Sequence, residues 1–279
     1  MNTMRIAIQG ERGSFHEVAA NQYFYGLGVD LVTCSSFDLT IDSVVKKTAD
    51  LAVIAIENAR SGSILYNYSL LRESGLKIIG EHNLRIEQNL MTLPGQVIED
   101  ISEIWSHPIA IAQCHEFLNR FPDIRLIEKE DTAGSARIIR DTGARGIAAI
   151  GARLAAELYE LQVLVENIET NKLNYTRFLI LSREMEYSEG INKASVCFAL
   201  EHEPGSLASL LTLLSNEGIN LTKIQSVPRM MMDWEYLFYL DLEFGGKNNL
   251  YKIFDILNKN TRDLEVLGVY KKRQIIYDS

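Results

Sequence analysis

The sequence predicts two α/β lobes followed by a smaller βαββαβ module, and three observations carry that expectation. Short apolar runs alternate with helical stretches through the first 180 residues, in the βαβαβ order of a parallel sheet. Polar and small residues gather just past the carboxyl ends of those runs, where open α/β sheets hold ligands. After Ile180 the composition changes, and a charged, irregular stretch from Ser182 to Lys193 leads into a new apolar strand.

In order, Arg5 to Gly10 reads as a strand ending in a glycine turn, and Ser14 to Glu17 has the spacing of a capping box that opens a helix. The free N–H groups of such a helix start, with their partial positive charge, suit a carboxylate or phosphate at Gly10–Ser14. The spacing of those glycines lacks the third glycine of a dinucleotide fingerprint, and a plain strand-to-helix turn is the other reading. Strands follow at Val29 to Cys34 and Leu51 to Glu57, with a helix around Phe37 to Thr48 between them. The third strand runs into Asn58-Ala59-Arg60-Ser61-Gly62, a predicted site wall. Further strands are expected at Ile101 to Ser106, Ile124 to Lys129, Gly146 to Ala152 and Gln162 to Ile168. Two lobes with a shared hinge fit this count better than one large sheet. The C-terminal part then reads strand, helix (Ser206 to Asn216), strand (Ile219 to Gln225), strand (Tyr236 to Phe244), helix (Leu250 to Leu257), strand (Leu264 to Tyr270), a ferredoxin-like order.

With 279 residues, nearly half of them apolar, the chain is long enough for two domains with ordinary cores. A net charge of -9 and no basic run argue against nucleic acid or an anionic membrane as partner. No leader and no apolar stretch of about 20 residues is seen, so a cytoplasmic location is expected. Cys34, Cys114 and Cys197 form no CxxC pair and read as reduced, structural thiols; no metal-ligand set and no cofactor motif is found. His16, His82, His115 and His202 read as surface or turn histidines, and Met230 to Met232 as loop or packing residues.

The most informative segment is Asn174-Tyr175-Thr176-Arg177-Phe178, a polar triplet set into an apolar run. A guanidinium there is expensive to bury without an anion, so Arg177 points to a carboxylate ligand, or to a surface position on an edge strand. Thr176 offers a neutral hydroxyl donor at the same place.

Together with Gly10-x-x-Gly13-Ser14-Phe15, Ile56-Glu57-Asn58, Ser106-His107-Pro108, Gln113-Cys114 and Asp131-Thr132-Ala133, this segment stands in an order that resembles the prephenate dehydratase family. The Gly205-Ser206-Leu207 and Ile219-Asn220-Leu221-Thr222 segments are similar to those of an ACT regulatory domain. The resemblance implies a catalytic domain over residues 1–183 with the two-lobed type II periplasmic-binding-protein fold, a linker at 184–193 and an ACT domain over 194–279. It implies conversion of prephenate to phenylpyruvate with loss of water and carbon dioxide, no cofactor or metal, feedback inhibition by phenylalanine, and a homodimer or homotetramer.

By that resemblance Thr176 stands at the leaving hydroxyl, with the proton relayed from water, Glu57 or His107. Arg177 anchors a carboxylate or pairs with a protein acid; Phe178, Asn58, Ser106, Gln113, Ser14 and Thr132 complete the substrate site, with loop capping as the other reading of Ser106. Gly205, Ser206, Leu207, Asn220, Leu221, Thr222 and Ser226 would hold the effector. Departures from the family pattern are Ala59, Asn67, Ser69, Gln88 in place of a histidine, and Gln225 and Val227 in place of a charged pair. The alternatives are arogenate dehydration, or a small-molecule receptor or amino-acid sensor of the same fold without chemistry; only the enzyme needs a hydroxyl at position 176.

Overall fold

The computed structural model describes residues 3–185, 189–229 and 235–273. Met230 to Met232 lie outside them, as does part of the expected linker. Contacts divide the chain into two units, one of Met1–Ile64 with His82–Phe178 and one of Leu65–Glu81 with Leu179–Ser279.

The first unit carries two sheets. Strands β1 (Met4–Gln9), β2 (Val29–Cys34) and β3 (Leu51–Asn58) pair in parallel with β1 in the middle, flanked by helices α1 (Phe15–Tyr23) and α2 (Phe37–Val45). Ile6, Ala7, Ile8 and Ala52 to Ile56 are almost wholly buried, which is why these strands read as continuous apolar runs. The two-residue β4 (Gly62–Ser63) folds back on the end of β3.

Helix α3 (Leu65–Ser74) and the start of strand β5 (Lys77–Arg85) belong to the second unit, and the chain returns to the first at His82. There β6 (Asn89–Thr92), β7 (Glu103–Ser106), β8 (Arg125–Glu128), β9 (Ile147–Gly151) and β10 (Gln162–Val165) form a mixed sheet in the order β10-β6-β9-β7-β8. Helices α4 (Pro108–Gln113) and α5 (His115–Leu118) pack on one apolar cluster of this sheet, α6 (Thr132–Thr142) and α7 (Arg153–Leu158) on another. Strand β11 (Tyr175–Ser182) begins in the first unit and ends in the second.

The second unit holds β12 (Lys193–Ala199), α8 (Ser206–Asn216), β13 (Asn220–Pro228), β14 (Tyr236–Glu243), α9 (Lys247–Asn260) and β15 (Arg262–Tyr270). The sheet order β13-β14-β12-β15 is antiparallel throughout and is that of a ferredoxin-like module. Period-2 alternation sends Ala194, Val196, Phe198, Leu240 and Leu242 into the core with Leu210, Leu214, Ile253 and Leu257 of the helices.

The other parity of β12 is polar and equally buried. Lys193 Nζ donates to Glu81 at 2.8 and 3.2 Å, with both side chains at most 5% exposed. Ser195 bonds Asp241 and Tyr270, and Arg72 Nε donates to Glu265 at 2.8 Å. These bonds, with β15–β5 pairing at Gly268 and Ile78, tie residues 65–81 to the C-terminal module. The expected boundary after residue 183 is therefore not where contacts divide the chain, and Lys193, placed in the linker, is the buried start of a strand.

Candidate active site

A cavity of about 360 Å³ opens between the two sheets of the first unit. Strand ends and loops of one sheet contribute Gln9, Ser14, Ala55, Asn58, Thr176 and Phe178; the other contributes Gln88, His107, Gln113, Asp131 and Thr132. Gly10 lets the walls approach, since its φ is +96° and an added Cβ would lie 2.8 Å from Asp131 Oδ2.

Three helix N-caps line this space: Ser14 of α1, His107 of α4 and Asp131 of α6. Ser14 Oγ accepts from the Glu17 N–H at 3.4 Å, as its spacing predicts. The reciprocal bond differs: the Glu17 carboxylate accepts from the Gly13 N–H at 2.7 Å and from Arg12, rather than from the cap residue itself. Asp131 Oδ1 accepts from the Gly134 N–H, and burial raises the Asp131 pKa, with Glu11 adding to the effect.

The polar floor is a chain of amides whose orientations force one another. The Arg60 and Ser61 N–H groups both donate to Asn58 Oδ1 at 2.8 Å, so the Asn58 NH₂ turns the other way. It donates to Asn174 Oδ1 and Thr176 Oγ1, each at 2.9 Å. Asn174 Nδ2 must then face Gln113, whose Oε1 it meets at 3.0 Å. Gln88 Nε2 also donates to that oxygen, at 3.3 Å, which leaves the Gln113 NH₂ as the end with hydrogens to offer. Because Thr176 Oγ1 accepts from Asn58, its own proton is directed elsewhere.

Strand alternation separates Arg177 from its neighbours. Thr176 and Phe178 line the cavity while Arg177, pointing the opposite way, donates through Nη1 to Glu57 Oε1 at 3.0 Å. Arg177 thus takes the pairing with a protein acid rather than the carboxylate-anchoring position, and neither it nor Glu57 is among the lining residues. Ser106 is also displaced: it is fully buried, and its Oγ donates to the Ile150 carbonyl at 2.8 Å, tying β7 to β9. Ser14, Asn58, Gln113, Thr132, Thr176 and Phe178 do converge.

His16 and His82 are buried rather than surface histidines. His16 lines the cavity, stands edge-on to Phe178 at 5.0 Å, and its Nε2 accepts from the Ala55 N–H at 3.3 Å. Burial lowers its pKa to about 3, so it is neutral at working pH and is no proton donor. The unfolded chain takes up this proton near the ordinary value of about 6.5. Stability contributed by the neutral ring is therefore complete above that value and lost as pH falls toward 3, at roughly 1.4 kcal/mol per unit. In His16→Gln, which keeps an acceptor for the Ala55 N–H, denaturation midpoints compared between pH 7 and 5 should fall less steeply than in the parent. An identical slope would show that His16 does not carry this dependence.

Sequence reading missed Asp131 and His16 as cavity residues; the cap spacing Asp131-Thr132-Ala133-Gly134 was the available signal for the first. The three cysteines are buried and free, and burial pushes the Cys114 thiol up to about 12. Among the described residues no metal-binding cluster is present, and no helix is long and apolar enough to cross a membrane.

In the second unit, Gly205 (φ +90°) caps α8, and Ser206 and Leu207 line a cavity of about 290 Å³ with His202, Glu203, Phe238 and Arg262. Asn220, Leu221, Thr222 and Ser226 lie instead on β13, the edge strand.

The cavity wall combines amides, hydroxyls and three helix N-caps with aromatic and aliphatic side chains, and its carboxylates are Glu130 and Asp131. The prephenate dehydratase family model matches residues 6–186, and the chain belongs to that family. It is similar to the bifunctional chorismate mutase/prephenate dehydratase of Aquifex aeolicus, 34% identical over 272 residues, covering 96% of this chain and 74% of the relative. Among solved structures it is similar to prephenate dehydratase of Arthrobacter aurescens in complex with L-Phe (28% identity, TM-score 0.86, 96% of this chain and 90% of the other). It is similar also to GqqA, described as a novel type of quorum quenching acylase (32% identity, TM-score 0.87, 96% and 98%).

Proposed function

We propose that this chain is a prephenate dehydratase whose chemistry takes place in the cavity at Thr176. The ring C–O bond breaks and its oxygen takes up a proton, leaving as water. The bond to the ring carboxylate gives its electron pair to the ring, which becomes aromatic as carbon dioxide departs. Family membership and the placement of Thr176 support this reading; the single observation that carries it is Thr176 Oγ1 accepting from Asn58 with its own proton free for the leaving oxygen. The Gln113 NH₂, Ser14 and the N-termini of α1 and α6 are suited to the carboxylates. Glu57 is already paired with Arg177, so His107, on the cavity wall, is the better of the two relay residues.

Acyl transfer, the activity of one similar protein, asks for a hydroxyl activated by a base. No serine or threonine of this cavity is hydrogen-bonded to either of its histidines, which favours dehydration.

The βαββαβ module is proposed to be an ACT domain that binds phenylalanine at the Gly205-Ser206-Leu207 turn, with Asn220 to Thr222 and Ser226 of a second copy closing the site. A periplasmic-binding-protein-like catalytic domain, a homo-oligomer and a cytoplasmic setting belong to the same proposal. Purified protein given prephenate or arogenate should release phenylpyruvate from the first, and phenylalanine should suppress that rate. No product from either substrate would sink the dehydratase reading; full activity at saturating phenylalanine would sink only the regulatory one.

A further inference from the structure

The amide chain that orients Thr176 ends on an atom without a partner. Gln88 is 2% exposed and lines the cavity; its Nε2 donates to Gln113, and its Oε1 is buried with nothing to accept. Turning the amide over would set Nε2 where the acceptor now lies and oppose two carbonyl oxygens at Gln113, so the orientation is fixed by Asn58 through Asn174. A buried acceptor left unsatisfied is costly, and a ligand donor would recover that cost.

Resting on the dehydratase reading, we propose that Gln88 Oε1 accepts the hydrogen bond of the substrate's ring hydroxyl and so selects substrates that carry it. Prephenate bears two carboxylates and a ketone, all acceptors, and a single donor, the hydroxyl. The cavity's Gln113 and Ser14 supply donors for the former, whereas Gln88 supplies a neutral acceptor for the latter. With Gln88 taking its hydrogen and Thr176 offering a proton to its oxygen, the leaving group is held in one rotamer. Because an amide does not titrate in this range, the contact is independent of pH. Asp131 and Glu130 are the carboxylates lining the cavity, but Asp131 Oδ1 is occupied by the Gly134 N–H.

The test uses ring-saturated prephenate analogues, which cannot aromatise, with and without the ring hydroxyl. Calorimetry on the full-length protein should show the hydroxyl improving binding about 10-fold in the parent and less than 2-fold in Gln88→Met. Gln88→Leu supplies a second arm should the Met variant fold poorly: it too lacks the acceptor, so the preference should again fall below about 2-fold. A hydroxyl preference unchanged in folded Gln88→Met or Gln88→Leu protein overturns the assignment. If neither analogue binds the parent protein, the dehydratase reading fails and takes this assignment with it.

Discussion

Thr176→Ala is expected to lower kcat by on the order of 100-fold or more while KM stays within a few-fold. The hydroxyl acts on an oxygen that gains charge only as the C–O bond breaks, so its removal raises the transition state far more than the bound ground state. The fold should be spared. Asn58 Nδ2, which loses one acceptor, still has Asn174 Oδ1 at 2.9 Å and the Tyr175 carbonyl at 3.3 Å, so no buried donor is orphaned. Thr176→Ser, which keeps the donor, should retain most of the rate. Steady-state kinetics with a thermal melt for each variant decide the matter: near-parental kcat in a folded Thr176→Ala protein removes the hydroxyl from the mechanism.

The parts of this architecture legible in the sequence are those whose stability is local or apolar. Strands β1 and β3 announce themselves because both faces are buried, leaving runs such as Ile6-Ala7-Ile8 and Val53-Ile54-Ala55-Ile56. Helix α1 is announced by Ser14, whose capping bond spans three residues. Strand β5 is not legible, since a buried glutamate and histidine interrupt its apolar pattern, and the Lys193 that makes burial of Glu81 tolerable stands 112 residues away. The same distance conceals the membership of residues 65–81 in the second unit. Within the site, residue types were read well and directions less so. Thr176 and Arg177 are adjacent in sequence, and only the period-2 geometry of a strand with Phe178 inward sends them to opposite sides. Ser106, likewise, is a neutral donor of the expected kind that spends its hydrogen on the Ile150 carbonyl.

That separation sets the outcome for Arg177→Leu, which is expected to lose stability rather than substrate affinity. The guanidinium is 9% exposed and holds Glu57, itself 30% exposed, at 3.0 Å. Removing it takes the cationic partner from a carboxylate that is shielded from water on most of its surface, and the partial access of Glu57 tempers the cost to about 2 kcal/mol. In a chain of this size that corresponds to a fall in Tm of about 4–8 °C. KM for prephenate should remain within about three-fold, because Arg177 is not among the residues lining the cavity. The double variant Arg177→Leu with Glu57→Leu should regain part of the lost stability, since it removes the carboxylate along with its cationic partner. An increase in KM of ten-fold or more at unchanged Tm would return Arg177 to the substrate, as the sequence first suggested. It would also mean that Thr176 and Arg177 reach the same ligand from opposite faces of one strand, which the backbone geometry of β11 does not allow without a local twist or bulge.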